Sequence, residues 1–275
     1  MLKNIISSLS YRLGIIIALC EREKIMSARK FRLGSLAALI EPTLIVLSLV
    51  ILRSLFKITL DTYLNPIIWL TIGAVIFYMF RDVALKAMSG ISSYNKVLVH
   101  RNITPLDCYL GRSIPYFQSY VVIFTIVLAS IWFYEGKVQF DDPSLAFIVL
   151  FLSFLLSLGV GFTTFILGSY YPITKYIIRF SVRRLLFWTS GIFTPLYILP
   201  PGIKKFFTIN PIVHATELLR HSINTLYPAE EQFISLDYLL KCSIGSIVIA
   251  SVLYSLKYTD LHYLSRFTSK TNLRG

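Results

Sequence analysis

Long apolar runs separated by short polar segments dominate the pattern along the chain. A helix needs about 20 predominantly apolar residues to cross the hydrocarbon core of a membrane. Six runs approach or exceed that length, so the pattern predicts an all-α integral membrane protein with six transmembrane helices. We place these spans at about residues 33–56, 66–84, 114–134, 145–171, 185–199 and 238–258. Residues 33–259 then form one transmembrane domain, and residues 260–275 form a tail.

The first 32 residues have a different periodicity, with apolar positions recurring at helical spacing on one face. The apolar face consists of Leu2, Ile5, Ile6, Leu9, Leu13, Ile16, Ile17 and Cys20. This pattern predicts an amphipathic helix in the cytoplasmic membrane interface at residues 1–32. The alternative is a signal peptide with residues 13–20 as its apolar region, but no small-residue cleavage site follows that region.

Residues 203–226 carry enough apolar positions to suggest a seventh crossing. They also contain His214, Glu217, Arg220 and His221, which are too many ionisable groups for lipid exposure without compensation. Glu217 and Arg220 are three residues apart and can pair on one helical face. We therefore predict a re-entrant helical hairpin that enters from the periplasmic side, between the last two spans, and returns without crossing.

Basic residues are concentrated in alternate segments of this topology. Most of the 27 Lys and Arg residues lie before the first span, after the second, after the fourth and in the tail. The loop at 135–144 instead holds Glu135, Asp141 and Asp142 against Lys137. The positive-inside rule then places both termini in the cytoplasm. Membrane topology therefore accounts for the net charge of +13 without a nucleic-acid partner.

Composition supports a membrane protein and gives no sign of an enzyme. The chain is 55% hydrophobic and only 15% charged, with a mean hydropathy of +0.67, whereas soluble domains carry about 25% charged residues. Cys20, Cys108 and Cys242 share no local spacing, which argues against a disulfide framework or a zinc site. The sequence also lacks a phosphate-binding G-x-x-x-x-G-K-[ST] loop and the HExxH, paired CxxC and GxSxG motifs. We expect no cofactor in this chain, and we expect ATP and Mg²⁺ to be held by a partner ATPase.

Two groups of residues keep alternative interpretations. Glu41 precedes Pro42 inside the first span, where the proline disfavours a continuous helix. Glu41 could line a polar path, or it could cap the helix that begins at Pro42. Aromatic residues such as Tyr197 fit an interfacial belt, although some could line a sugar path. His214, His221 and Glu217 could suggest a metal cluster, but we favour an interfacial polar face.

Three motifs resemble the permeases of ABC-type capsular-polysaccharide exporters of the Kps type. The first is Lys30-Phe31-Arg32-Leu33-Gly34 with Glu41-Pro42 in the first span. The second is the run from Asn210-Pro211 to Arg220, which is similar to the family pattern N-P-hydrophobic-x-H-x-x-E-x-x-R. The third is Pro105-x-Asp107 followed by Arg112. One departure is Ala37, where such permeases often carry Trp.

The resemblance implies a bacterial inner-membrane, multi-pass permease subunit that moves a lipid-linked acidic polysaccharide out of the cytoplasm. It also implies a homodimer, two ATPase subunits, and periplasmic adaptor and outer-membrane export partners. An exporter of O-antigen or teichoic acid, or a non-ABC glycolipid flippase, is the alternative. Candidate substrate-path residues are Glu41, Arg32, Tyr197, His214, Glu217 and Arg220. A cytoplasmic coupling loop at 89–107 would contact the ATPase, with Lys96, Arg101, Asp107 and Arg112 as candidate contacts.

Overall fold

A computed structural model of the chain describes residues 2–31, 66–86, 103–135, 140–229 and 232–271, and the isolated positions Leu44, Leu47, Ser48, Ile51 and Leu64. In these residues the secondary structure is helical, with turns between the helices and no strand. The all-α class is therefore confirmed for this part of the chain. The predicted first span at 33–56 falls outside the described residues except for isolated positions, and so does most of the predicted coupling loop at 89–107.

The helices follow one another along the chain and are numbered here in that order. They are α1 (Leu2–Phe31), α2 (Pro66–Arg81) with a π-helix (Asp82–Lys86), α3 (Pro105–Glu135), α4 (Pro143–Tyr170), α5 (Pro172–Phe180) with a π-helix (Ser181–Leu185), α6 (Leu186–Trp188), α7 (Pro201–Phe207), α8 (Pro211–Ile223) and α9 (Leu236–Thr271).

A polar residue followed by proline begins several of these helices. Proline suits the first helical position because its missing N–H would have no partner there, and a polar side chain before it can cap the free backbone amides. The Asp142 carboxylate accepts a hydrogen bond from the Leu145 N–H at 3.0 Å at the start of α4. At the start of α3, the Thr104 N–H donates to Asp107 at 2.8 Å, and the Asp107 N–H donates to the Thr104 hydroxyl at 3.3 Å. This reciprocal cap explains why α3 begins at Pro105, well before the predicted span start at 114.

Four helices in the described part of the chain are long and apolar enough to cross a membrane. They are Ile67–Leu85, Pro105–Ser130, Pro143–Tyr170 and Leu236–Lys257. The first is 83% buried within the chain and the last only 17%. Helix α2 is therefore central in the bundle, whereas α9 presents most of its surface outward. The count of six spans stays a prediction.

Helices α4 and α9 pack side by side and run in the same direction. The Ser243 hydroxyl donates to the Leu152 carbonyl at 2.9 Å, and Ser246 lies against Gly159 further along both helices. A Cβ atom at Gly159 would collide with Ser246, so the glycine permits the close approach. Because the two helices are parallel, residues 171–235 must return the chain to the end of the bundle where α4 begins.

The predicted fifth span at 185–199 is not a continuous helix. A helical rod at 172–188 consists of α5, its π-helix and α6, and it is followed by turns and a short 3₁₀ helix at Leu196–Ile198. Gly191 has a φ of 71°, and Pro195 and Pro200 have extended backbone, so the helix cannot continue through these positions. The basic residues at 175–184, which the sequence suggested were in a loop, are therefore part of the rod.

Candidate functional site

The start of α8 is fixed by Asn210, the first residue of the N-P-x-x-H motif region. Its side-chain oxygen accepts a hydrogen bond from the Ile212 N–H at 3.0 Å and caps the helix. Its side-chain N–H donates to the Thr189 hydroxyl at 3.0 Å. One residue therefore both begins α8 and ties it to the turn after α6.

An ion pair in α8 is completely buried inside the chain. Arg220 donates to the Glu217 carboxylate at 2.8 Å, and the two side chains are 0% and 1% exposed. The guanidinium also donates to the Gly191 carbonyl at 2.8 Å and to the Trp69 carbonyl at 3.3 Å. It lies over the Trp69 indole ring at 4.0 Å from the ring centroid, a favourable cation–π geometry. Arg220 thus connects three segments, namely α2, the turn at 189–195 and α8.

The carboxylate of Glu217 is held from its other side by Tyr227. The Tyr227 hydroxyl donates to the second carboxylate oxygen at 2.8 Å, so each oxygen has its own donor. Tyr197, a candidate path residue, packs its ring edge-on against Tyr227 at 5.7 Å. We call Trp69, Gly191, Glu217, Arg220 and Tyr227 the outer network, because they lie toward the end of the bundle where α4 begins, which the charge distribution predicts to be periplasmic.

Two glycines allow the backbone to close around the outer network. Gly191 adopts a left-handed conformation that other residues reach only with strain. A Cβ atom at Gly73 would lie 3.0 Å from the Ile192 backbone and 3.2 Å from the Arg220 guanidinium. A small residue at position 73 therefore lets the turn at 189–195 pack directly on α2.

His214 lies on the same helix but takes no part in the outer network. Its Nδ1 accepts a hydrogen bond from the Ser235 N–H at 3.0 Å, which requires an unprotonated nitrogen. Its Nε2 then carries the proton and donates to the Thr208 carbonyl at 2.8 Å. The ring also packs against Tyr238 at 4.5 Å between centroids. A neutral His214 thus joins the end of α7 to the beginning of α9.

A second polar cluster fastens α1 to α3 at the opposite end of the bundle. Arg12 pairs with Asp107 at 2.7 Å, and the Thr104 hydroxyl donates to the same carboxylate oxygen at 2.7 Å. Arg112 pairs with Glu23 at 3.2 Å. We call these five residues the cytoplasmic clasp, after the side of the membrane that the charge distribution predicts for α1. Leu19 lies against Gly111 in the same interface, where a larger residue would not fit.

The structure places the site residues predicted from the sequence in three groups. Tyr197, Glu217 and Arg220 come together at the outer network, whereas His214 makes separate contacts. Asp107 and Arg112 each pair with a residue of α1, Arg12 and Glu23 respectively, and their predicted coupling role stays a prediction. The remaining candidates lie outside the described residues, and they are Arg32, Glu41, Lys96 and Arg101.

Sequence reasoning missed three members of the outer network. None of Trp69, Gly191 and Tyr227 was singled out as a site residue from the sequence. A usable signal existed for Tyr227, because a buried Glu–Arg pair leaves one carboxylate oxygen that needs a donor. Among the residues described, no three His, Cys, Asp or Glu side chains are grouped so as to hold a metal ion.

Comparison with known proteins places this architecture in a family. The chain is 28% identical to the polysialic acid transport protein KpsM of Escherichia coli over 228 residues, which cover 82% of this chain and 86% of KpsM. It is 26% identical to the capsule polysaccharide export inner-membrane protein CtrC of Neisseria meningitidis serogroup B over 217 residues, 78% of this chain and 80% of CtrC. It is 24% identical to the capsule polysaccharide export inner-membrane protein BexB of Haemophilus influenzae over 220 residues, 78% of this chain and 80% of BexB. Residues 15–224 match the ABC-2 type transporter family. The chain therefore belongs to the ABC-2 type transporter family.

Proposed function

We propose that this chain is the membrane-spanning subunit of an ABC exporter that moves capsular polysaccharide out of the cytoplasm across the inner membrane. The observation that carries the proposal is the extended similarity to KpsM, CtrC and BexB, which covers about four-fifths of each chain. The four long apolar helices support a location in the membrane. On this proposal the chain transports and does not catalyse, and ATP hydrolysis takes place on a separate subunit.

The proposal includes a set of partners. Two copies of the chain would form the permease and bind two ATPase subunits, which hold ATP and Mg²⁺. The cargo would be a lipid-linked acidic polysaccharide, and periplasmic adaptor and outer-membrane proteins would continue the route to the cell surface. The absence of a phosphate-binding loop from the sequence supports an ATPase in trans.

The proposed topology has both termini in the cytoplasm and α7 and α8 as a re-entrant hairpin on the periplasmic side. The hydrogen bonds at the start of α4 support this arrangement. Asp142 donates its N–H to the Ser222 carbonyl at 2.9 Å, and Asp141 accepts from the Thr225 N–H at 2.8 Å. The end of α8 is thus beside the start of α4, and through His214 the hairpin is also fastened to the start of α9.

The candidate path residues would then act by fixing the outer mouth of the transport path. Glu217 and Arg220 are fully buried within the chain, so they would shape the path through the backbone they hold. Arg220 holds the turn at 189–195, and His214 holds Thr208 at the end of α7 and Ser235 before α9. These contacts would keep α7 and α8 together with the turn at 189–195, where the predicted fifth span is interrupted, as one unit.

The function is tested by deleting the gene in its own strain and restoring it on a plasmid. We expect the deletion to abolish surface capsule and to leave polymer inside the cell, and the plasmid to reverse both effects. Loss of a different envelope polymer with normal capsule would contradict the proposal and favour the alternative exporters. The purified chain should hydrolyse ATP only when its ATPase partner is present.

Side-specific labelling tests the topology with variants chosen for exposure. Single cysteines at Ser144 and Leu226, both exposed positions, should react with a membrane-impermeant thiol reagent from the periplasm. A cysteine at Glu21 in α1 should react only after the membrane is opened, and it serves as the cytoplasmic control. Labelling of Leu226→Cys from the cytoplasm alone would show that α7 and α8 cross.

A further inference from the structure

All the charged residues of the helical rod at 172–188 are basic. It contains Lys175, Arg179, Arg183 and Arg184 and no Asp or Glu. Within the part of the chain that the structure describes, none of these four cations has a carboxylate within 4 Å. Cations near the membrane need counter-charge or water, so these four side chains can be neutralised by an anion beside the rod.

Three of the cations share one side of the rod. Lys175 and Arg179 are four residues apart, and Arg183 follows after four more, across a π-helix whose wider turn keeps it near the same line. We call Lys175, Arg179 and Arg183 the basic stripe. Lys175 and Arg179 are half-buried and Arg183 is exposed. Arg184 is adjacent in sequence but projects from a different side.

An exposed apolar face runs along the rod on the side turned away from the basic stripe, since Ile177 is two residues from both Lys175 and Arg179 and therefore about 200° around the helix. Ile177, Phe180 and Trp188 on this face are 58%, 61% and 66% exposed, whereas Val182 on the inward side is buried. A rod with aligned cations on one side and exposed aliphatic and aromatic groups on the other matches the boundary between anionic headgroups and acyl chains, as an interfacial amphipathic helix does. A soluble acidic polymer would match the cations but would leave the apolar face in water.

The depth of the basic stripe in the bundle also suits a lipid headgroup. The stem of Lys175 lies against Gly168, close to the end of α4, and Phe187 packs against Phe77 of α2 at 5.1 Å. Helix α4 has 28 residues and a length of about 42 Å, which exceeds the roughly 30 Å of a hydrocarbon core. The end of α4, and the basic stripe beside it, therefore lies at the headgroup level on the cytoplasmic side.

We propose that the basic stripe binds the phosphate of an anionic phospholipid of the cytoplasmic leaflet, with the acyl chains along the apolar face of the rod. This inference goes beyond the proposed function, because it concerns a bound membrane lipid and does not depend on which polymer is exported. Long Lys and Arg side chains reach toward headgroups while their stems stay in apolar surroundings, as Lys175 does over Gly168.

The test compares two neighbouring arginines that differ in the side of the rod they occupy. The full-length chain is reconstituted in phosphatidylcholine with and without phosphatidylglycerol, and the phosphatidylglycerol retained per chain is measured by native mass spectrometry. We expect Arg183→Gln to lose retained phosphatidylglycerol several-fold, Arg179→Gln/Arg183→Gln to lose more, and the matched control Arg184→Gln to resemble the unaltered chain.

Two outcomes would overturn the proposal. Equal lipid loss in Arg183→Gln and Arg184→Gln would show general charge attraction, with no site on the basic stripe. Unchanged lipid retention in Arg183→Gln together with lost capsule export would assign the stripe to the polymer. Equal thermal midpoints of the variants in phosphatidylcholine alone show that each is folded.

A failure of capsule export to depend on this gene would affect the proposed function but not the lipid measurement.

Discussion

The two polar clusters of this protein use the same chemistry in opposite surroundings. In the outer network the Glu217–Arg220 pair is 1% and 0% exposed, and its oxygens and guanidinium are held by tyrosine, tryptophan and backbone groups. In the cytoplasmic clasp the Arg12–Asp107 pair is 44% and 6% exposed. One cluster lies within the bundle, and the other lies at the edge of an amphipathic helix.

The difference predicts different energetic roles. Removing one partner of a buried pair leaves an uncompensated charge and costs about 3–5 kcal/mol, whereas an exposed pair contributes roughly 0–1 kcal/mol. We therefore expect the outer network to decide whether the helical hairpin folds against α2. The cytoplasmic clasp should instead adjust how firmly α1 stays on α3. The following variants test this contrast.

Arg220→Met should have the largest effect. It leaves Glu217 buried without its cation, so we expect a loss of about 3–5 kcal/mol and little folded protein in the membrane. Glu217→Leu combined with Arg220→Met should recover part of the loss, because both charges are then absent. The control is Asp237→Asn, which removes an exposed pair with Lys241. Normal yield and thermal midpoint of Arg220→Met in detergent would contradict the structural importance of the network.

Tyr227→Phe should have the next largest effect. The ring can still pack on Tyr197, but one Glu217 oxygen loses its donor. A hydrogen bond to a charged group contributes about 1.5–3 kcal/mol, so the thermal midpoint should fall by several degrees. Tyr176→Phe is the control, since it removes a tyrosine hydroxyl from an exposed position. An unchanged midpoint for Tyr227→Phe would mean that the second oxygen needs no protein donor.

Asp107→Asn should weaken the cytoplasmic clasp by about 1 kcal/mol. The amide can still accept from Thr104, but its ion pair with Arg12 is lost. We expect faster protease cleavage between α1 and the bundle, with little change in the thermal midpoint of the bundle. Glu21→Gln, which breaks an exposed pair with Lys24, should leave cleavage unchanged. A fall in the thermal midpoint as large as that of Arg220→Met would show that the two clusters contribute equally to stability.

The smallest effect should be a change in how the thermal midpoint depends on pH, and it should come from the loop before α4. The backbone N–H and hydroxyl of Thr225 donate to Asp141 and lower the pKa of its carboxyl. A lowered folded-state pKa means that this contribution is present above the unfolded pKa of about 3.9 and is lost as the pH falls through the folded value. Asp141→Asn should therefore flatten part of the fall in thermal midpoint below roughly pH 4. A fall identical to that of the unaltered chain would show that Asp141 does not contribute.

The sequence supported several structural expectations through local physics. Length and hydropathy identified the long apolar helices, since crossing requires a fixed number of apolar residues. The i, i+3 spacing of Glu217 and Arg220 indicated their pairing, which the structure confirms at 2.8 Å. The cap formed by Thr104 and Asp107 is also local in the chain, but it was not identified from the sequence, and the predicted span began later.

Contacts between distant segments were decided only by the tertiary structure. The sequence alone determined that the chain is helical, membrane-like in composition and paired within α8, because those properties depend on local spacing and on apolar content. It could not determine that Arg220 meets the carbonyls of Trp69 and Gly191, which lie 151 and 29 residues away. Nor could it show that the fifth segment breaks at Gly191 and that its basic residues form a rod. Those features depend on which helices become neighbours, and that choice is made by packing across the whole bundle.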